Sequence, residues 1–203
     1  GLEEITKDKG LEIAKTVCSD ADLEYSSDEN GNIPCYLYQS ENCTVAITKL
    51  GGKPLYMLSS EYVGETSYKY EDALKNALSY LKKIGFTELK GSYYFIDDGV
   101  CTINFSAVQN DIVLYPDLIK VSVSLDNGKI LSFDATGYIS NHTERKTPEN
   151  KISLVEAREN VNDELIIIDS RVCVIPTEWK TEQYCYEFKK KKKNGQELLV
   201  YID

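Results

Sequence analysis

Histidine is nearly missing: the chain has one, His142, in 203 residues. Any Ser-His-Asp or Cys-His arrangement would have to use it. No G-x-S-x-G elbow, H-E-x-x-H pair or phosphate-binding glycine loop occurs anywhere. The six cysteines, at positions 18, 35, 43, 101, 173 and 185, include no C-x-x-C pair. With one histidine to help them, no metal site is expected. Long apolar runs are missing too. Aliphatic stretches such as Leu165 to Ile168 fall far short of the roughly 20 residues that span a bilayer, so no membrane span is expected. Basic charge is scarce, 23 Lys and Arg against 33 Asp and Glu for a net charge of -10, which argues against a general nucleic-acid binder. There is no start Met and no charged-then-apolar leader. The expectation is a cytosolic chain, or one whose targeting or anchoring segment lies outside these residues.

What is present suits a folded chain with a real core, since 42% of residues are hydrophobic and 28% charged. It also repeats. "ITKDKGLEIA" from Ile5, "YKYEDALKNA" from Tyr68 and "ISLVEARENV" from Ile152 share an apolar, small, apolar spacing. Each is followed at nearly constant distance by a cysteine that opens a strand-like stretch: "CYLY" at Cys35, "CTINF" at Cys101 and "CYEF" at Cys185, offsets of 30, 33 and 33 residues. In the middle segment Ala73, Leu74, Ala77, Leu78, Leu81 and Ile84 form a helical stripe ended by Gly85. Thr6 and Ser153 stand at N-cap positions, Ser153 with Glu156 as a capping box, whereas Lys69 cannot cap in this way.

After each helix the pattern alternates. Val121, Val123 and Leu125 interleave with Ser122 and Ser124, and Asn127-Gly128 predicts a tight turn with two positive φ values before Lys129 to Phe133 returns. Further turn dipeptides stand at Asn30-Gly31, Gly51-Gly52, Asp98-Gly99 and Asn194-Gly195. The reading is an α+β fold in triplicate, over residues 1–66, 67–147 and 148–203, each unit a helix on an antiparallel sheet of about four strands. The last lacks its final strand, which leaves an edge open or filled by another chain. The run Lys189 to Lys193 is expected at a hairpin end projecting into water, with Lys190, Lys191 and Lys192 also candidates for contact with an anionic surface. For the cysteines, buried free thiols stand beside cross-strand pairing of Cys35 with Cys43 or Cys173 with Cys185.

Tyr93, Tyr94, Phe95, Phe105 and Tyr115 cluster in the second unit. Most are expected in the core or in pairs on the sheet, but outward tyrosines on an uncovered face, with Tyr93, Tyr94 and Tyr115 as candidates, would suit a protein partner. Asn141, His142 and Arg145, in "GYISNHTER", are candidates for a contact between the second and third units. Asp97-Asp98 and the carboxylates of "YEDAL" belong to an abundant acidic background, so no catalytic pair is assigned.

A helix followed by a meander with a "VSVSLDNGKILSF" hairpin is similar to the PepSY module. "GGKPLYML", "INFSAVQNDIVLYPDLIKVSVSLDNGKILSFDATGYISNHTER" and "IPTEWKTEQYCYEFK" make the resemblance specific. The order "YPDLIKV", "GYISNHTER", "IPTE" resembles the C-terminal region of the YpeB family of spore germination proteins, from about Ile5 to Asp203. The resemblance implies tandem PepSY units on the outer side of the inner spore membrane of an endospore, anchored by an N-terminal helix not present here. It implies a non-enzymatic role without cofactor, required together with the cortex-lytic enzyme SleB for hydrolysis of cortex peptidoglycan, each protecting the other in the dormant spore. The wider PepSY group suggests a different partner, a protease that the chain would inhibit or regulate. The five-lysine run and the missing last strand depart from the family pattern.

Overall fold

The computed structural model describes residues 1–146, 152–161, 166–192 and 195–203. The first group of elements is α1 (Lys7–Cys18), β1 (Glu24–Glu29), β2 (Cys35–Gln39), β3 (Cys43–Thr48) and β4 (Pro54–Ser59). The second is α2 (Tyr70–Lys83), β5 (Leu89–Asp97), β6 (Val100–Gln109), β7 (Ile112–Ser124) and β8 (Ile130–Asp134). A short α3 (Thr136–Asn141), which the sequence pattern did not announce, precedes the third group: α4 (Leu154–Glu159), β9 (Ile166–Pro176), β10 (Glu182–Lys191) and β11 (Glu197–Ile202). Helix then meander thus recurs three times, with three strands in the last group.

The helices start as their caps dictate. Thr6 accepts a hydrogen bond from the Lys9 backbone N–H at 3.2 Å, and Ser153 and Glu156 bond each other's backbone N–H in a capping box. At α2 the Asp72 carboxylate accepts from the Lys69 N–H at 3.1 Å. The stripe on α2 buries Ala73, Ala77, Leu81 and Ile84, while Leu78 stays exposed.

The three groups share one sheet. β4 pairs antiparallel with β8, and β9 pairs parallel with β7 through Val113↔Cys173 and Leu114↔Val174. One hydrophobic cluster runs from Ala14 and Val17 on α1 through Tyr38 and Ile47 to Ala73, Ala77 and Leu81 on α2, with Ile103, Phe105, Val121 and Phe133 beneath them. The first two groups therefore have a common core. The third has its own, where Ala157 and Val161 pack on Tyr186 and Phe188.

The repeat spacing has a physical origin. Cys35, Cys101 and Cys185 all lie on the second strand of their group. In the first and third groups the following tyrosine reaches back to the residue that opens the helical segment: Tyr36 Oη donates to the Ile5 carbonyl at 3.2 Å, and Tyr186 Oη to the Ile152 carbonyl at 3.1 Å. A fixed offset from helix entry to second strand keeps that bond. Thr102 takes this place in the second group.

Three expectations need correction. Asn127-Gly128 is not a two-residue turn, because only Gly128 has positive φ, at 74°. The preceding residues hold the loop before α2 instead: Leu125 O accepts from the N–H groups of Ser67 and Tyr68 at 2.7 Å each, and Asp126 from Gly64 N at 2.7 Å. The tight turns are at Asp98-Gly99 and at Asn110-Asp111, where both central residues have positive φ. Cys43 does not pair with Cys35, because Cys18 at the end of α1 forms a disulfide with it. Lys190 does not project into water: β10 runs on through Lys191, and Lys190, two residues beyond buried Phe188 on the same strand, is 1% exposed. Of the expected turn at Asn194-Gly195, Asn194 and the neighbouring Lys193 lie outside the described residues.

Candidate functional site

The sheet changes partner at one point of β7. Opposite β6 the register runs Ser106↔Leu118 and then Ala107↔Leu114, so Tyr115, Pro116 and Asp117 form a bulge. Proline has no N–H to offer a ladder and favours such a place. The bulge turns Tyr115 and Asp117 toward the third group.

Asp117 is wholly buried and accepts two parallel hydrogen bonds from Arg145, Nη1 to Oδ2 at 2.8 Å and Nη2 to Oδ1 at 2.7 Å. Arg145 also donates to Glu182 on β10, from Nε at 2.8 Å and Nη2 at 2.7 Å. Its backbone is gripped on both sides by the Gln109 amide, Nε2 to Arg145 O at 2.5 Å and Arg145 N to Oε1 at 3.0 Å. The bonds to Glu182 and then Asp117 push the guanidinium's pKa up, and the guanidinium holds the Glu182 carboxyl below its ordinary value.

His142 places Nδ1 2.7 Å from Asp117 Oδ2 and stacks on Tyr138 with ring centroids 4.2 Å apart. The pair orients the imidazole. Among the described residues no serine or cysteine hydrogen-bonds its other nitrogen. Asn141 fastens α3 to the bulge, donating to Pro116 O at 3.0 Å and Gly137 O at 2.9 Å. Tyr115 completes the other side, its hydroxyl donating to buried Glu187 Oε2 at 2.5 Å, and Glu187 takes Arg171 Nε at 3.2 Å. Burial, with Glu187 adding to it, pushes the Tyr115 pKa up.

The structure therefore brings Asn141, His142, Arg145 and Tyr115 together around the joint between the second and third groups. It uses Tyr115 internally. Asp117, Glu182, Gln109 and Glu187 are the joint residues that sequence reasoning missed. The proline in a strand-like stretch of "YPDLIKV" was the available signal for a bulge.

Tyr93 and Tyr94 lie elsewhere, on β5, which among the described residues pairs only with β6. Directly opposed residues share a face. Tyr94 opposes Ile103 of the core and stacks on Tyr70 of α2 at 3.7 Å between centroids. Tyr93 and Phe95 oppose Asn104 and Thr102 on the other face, and they are 62% and 49% exposed. Phe95 also lines an open cleft of about 760 Å³ with Tyr62, Glu65, Asp97 and Asp98. The lysines separate by environment: Lys189 pairs with Glu197 at 2.6 Å, Lys190 is 1% exposed, Lys191 is exposed and Lys192 bonds Gln196 Oε1 at 3.1 Å.

A family model described as YpeB sporulation, PepSY1 and PepSY2 domains matches residues 1–148. The chain is 30% identical over 145 residues to the sporulation protein YpeB of Bacillus subtilis (strain 168), covering 70% of this chain and 32% of that protein. It is 29% identical over 196 residues to the sporulation protein YpeB of Oceanobacillus iheyensis, covering 91% of this chain and 43% of that protein. The chain spans less than half the length of these curated relatives. The Bacillus megaterium YpeB C-terminal domain has the same fold, with a TM-score of 0.90 at 22% identity over 99% of this chain and 93% of that one. The chain belongs to the YpeB family of sporulation proteins.

Proposed function

We propose that the chain is a non-catalytic binding module that acts with a cortex-lytic enzyme of the SleB type in hydrolysis of spore cortex peptidoglycan, on the outer side of the inner spore membrane. The open face of β5 and β6 is its docking surface. One observation carries that choice: Tyr93 and Phe95 stand exposed on an edge strand, beside a cleft rimmed by Glu65, Asp97 and Asp98. Aromatic side chains give large contact area at low entropic cost and dominate binding energy where they fill pockets. The unpaired edge of β5 offers backbone donors and acceptors to a partner strand. Family membership supports the germination partner.

The experiment is co-elution of the chain with purified cortex-lytic enzyme, with release of muropeptides from cortex fragments measured alongside. The reading expects a complex with the native chain, none with Tyr93→Ser/Phe95→Ser, and no release by the chain alone. Release by the chain alone would overturn it. So would a complex indifferent to the two substitutions, and a complex with a purified protease tested in place of the lytic enzyme, with loss of its proteolysis, would favour an inhibitor.

A further inference from the structure

Two thiols face each other where the third group meets the second. Cys173 on β9 and Cys185 on β10 are direct antiparallel partners, with Sγ atoms 3.4 Å apart. Cys173 also stands in register with Val113 of β7, one of the two residue pairs by which β9 joins that strand. Opposed antiparallel residues hold their Cα atoms about 4.5–5.5 Å apart. A disulfide spans about 4.4–6.8 Å, so side-chain rotation alone brings these sulfurs to bonding distance.

The other two free thiols provide a contrast inside the same chain. Cys35 and Cys101 hold the equivalent strand, yet their cross-strand partners are Glu29 and Thr48, and Ile96 and Val123. Neither faces a thiol. The Cys18–Cys43 disulfide suits the chain to an oxidising compartment.

Access differs within the pair. Both thiols are buried, but Cys185, 5% exposed, lines a surface cavity of about 330 Å³ with Ile175, Gln183 and Tyr201, whereas Cys173 has no exposure. Hydrogen bonding between the two thiols, in which either sulfur can donate, holds the Cys185 thiol below its ordinary pKa, while the same bond and burial push that of Cys173 up.

We propose that Cys173 and Cys185 form a redox-active dithiol whose reactant is a low-molecular-weight disulfide, with Cys185 as the attacking group. The Cys185 thiolate attacks one sulfur of the small disulfide, the S–S bond breaks, and one small thiolate leaves and takes up a proton. Cys173 then loses its proton and attacks the Cys185 sulfur of the mixed disulfide, closing the protein bond and expelling the second small thiol. The pair gives up two electrons and two protons, and the small disulfide becomes two thiols. The bond clips β9 to β10 within the third group, at the point where β9 meets β7.

The test treats the whole chain, with Cys18–Cys43 intact, with excess oxidised glutathione, then unfolds it, alkylates it with iodoacetamide and weighs it. Before oxidation four alkylations are expected. Afterwards two are expected, on Cys35 and Cys101, with one linked peptide pair containing Cys173 and Cys185. Cys173→Ser is expected to stop at a glutathione adduct on Cys185. Four alkylations on the treated native chain overturn the proposal, as does glutathione on Cys35 or Cys101 without the linked peptides.

Discussion

Arg145 holds Asp117 through two parallel hydrogen bonds of 2.8 and 2.7 Å, and Asp117 has no solvent exposure at all. The carboxylate depends on that guanidinium, because without it a buried charge that has lost its hydration keeps only the half-exposed His142 as a partner. Arg145→Leu is expected to cost about 3–5 kcal/mol. The double variant Asp117→Leu/Arg145→Leu is expected to cost less than the single one, since it removes both charges. Urea denaturation of the three chains measures this, and equal costs for single and double variants would contradict the pairing.

Acid should weaken the same joint. The Arg145 guanidinium lowers the Glu182 carboxyl below its ordinary value of about 4.3. A group depressed on folding stabilises fully above its unfolded pKa and loses that contribution as pH falls through the folded one. Arg145 itself is raised, so its contribution is complete below about pH 12.5 and plays no part in the acid range. The melting temperature should therefore drop below about pH 4, and Glu182→Gln should show a shallower acid limb. Superimposable limbs would remove Glu182 from the account.

Gly10, the fourth residue of α1, is there for a steric reason. A Cβ there would fall 2.0 Å from Tyr38 Oη, and that hydroxyl donates to Lys7 O on the same helix at 2.8 Å. Glycine in a helix interior ordinarily costs about 0.5–1 kcal/mol relative to alanine. Here overpacking outweighs that gain, so Gly10→Ala is expected to destabilise by about 1–3 kcal/mol in thermal or urea unfolding. A stabilised variant would show that Tyr38 yields easily.

The threefold repeat could be read in advance because helix entry and second strand are tied by local rules: the caps at Thr6 and Ser153, and the tyrosine that follows each of Cys35 and Cys185. The joint could not. Pro116 could mark a bulge beside Asp117, but the sequence does not say which chain segment that bulge faces, because β9 meets β7 only in the assembled sheet. Cys18 reaches Cys43 only once α1 lies on the sheet, a tertiary fact that spacing between cysteines does not carry. The lysine run misled for a similar reason, since five like charges read as solvated, whereas β10 extends through Lys191 and turns Lys190 to the same face as buried Phe188.

Lys190 and Lys191 should accordingly respond differently. Lys190 is two residues beyond buried Phe188 on the same strand and is 1% exposed, with its aliphatic stem inside the sheet's packing. Lys190→Ala is expected to lower stability by about 2 kcal/mol, and Lys191→Ala by less than about 0.5 kcal/mol. Chemical denaturation distinguishes them, and equal small effects would return Lys190 to the surface.

The proposed docking of a cortex-lytic enzyme on the β5 face can be measured directly. Titration calorimetry of the chain against that enzyme, at low and high salt and with Tyr93→Ser/Phe95→Ser beside the native chain, tests it most directly. The account predicts binding in the micromolar range or tighter, weakened by salt through the acidic rim of Glu65, Asp97 and Asp98, and lost in the double variant. Absence of heat with the native chain, or equal affinity in the variant, would contradict it.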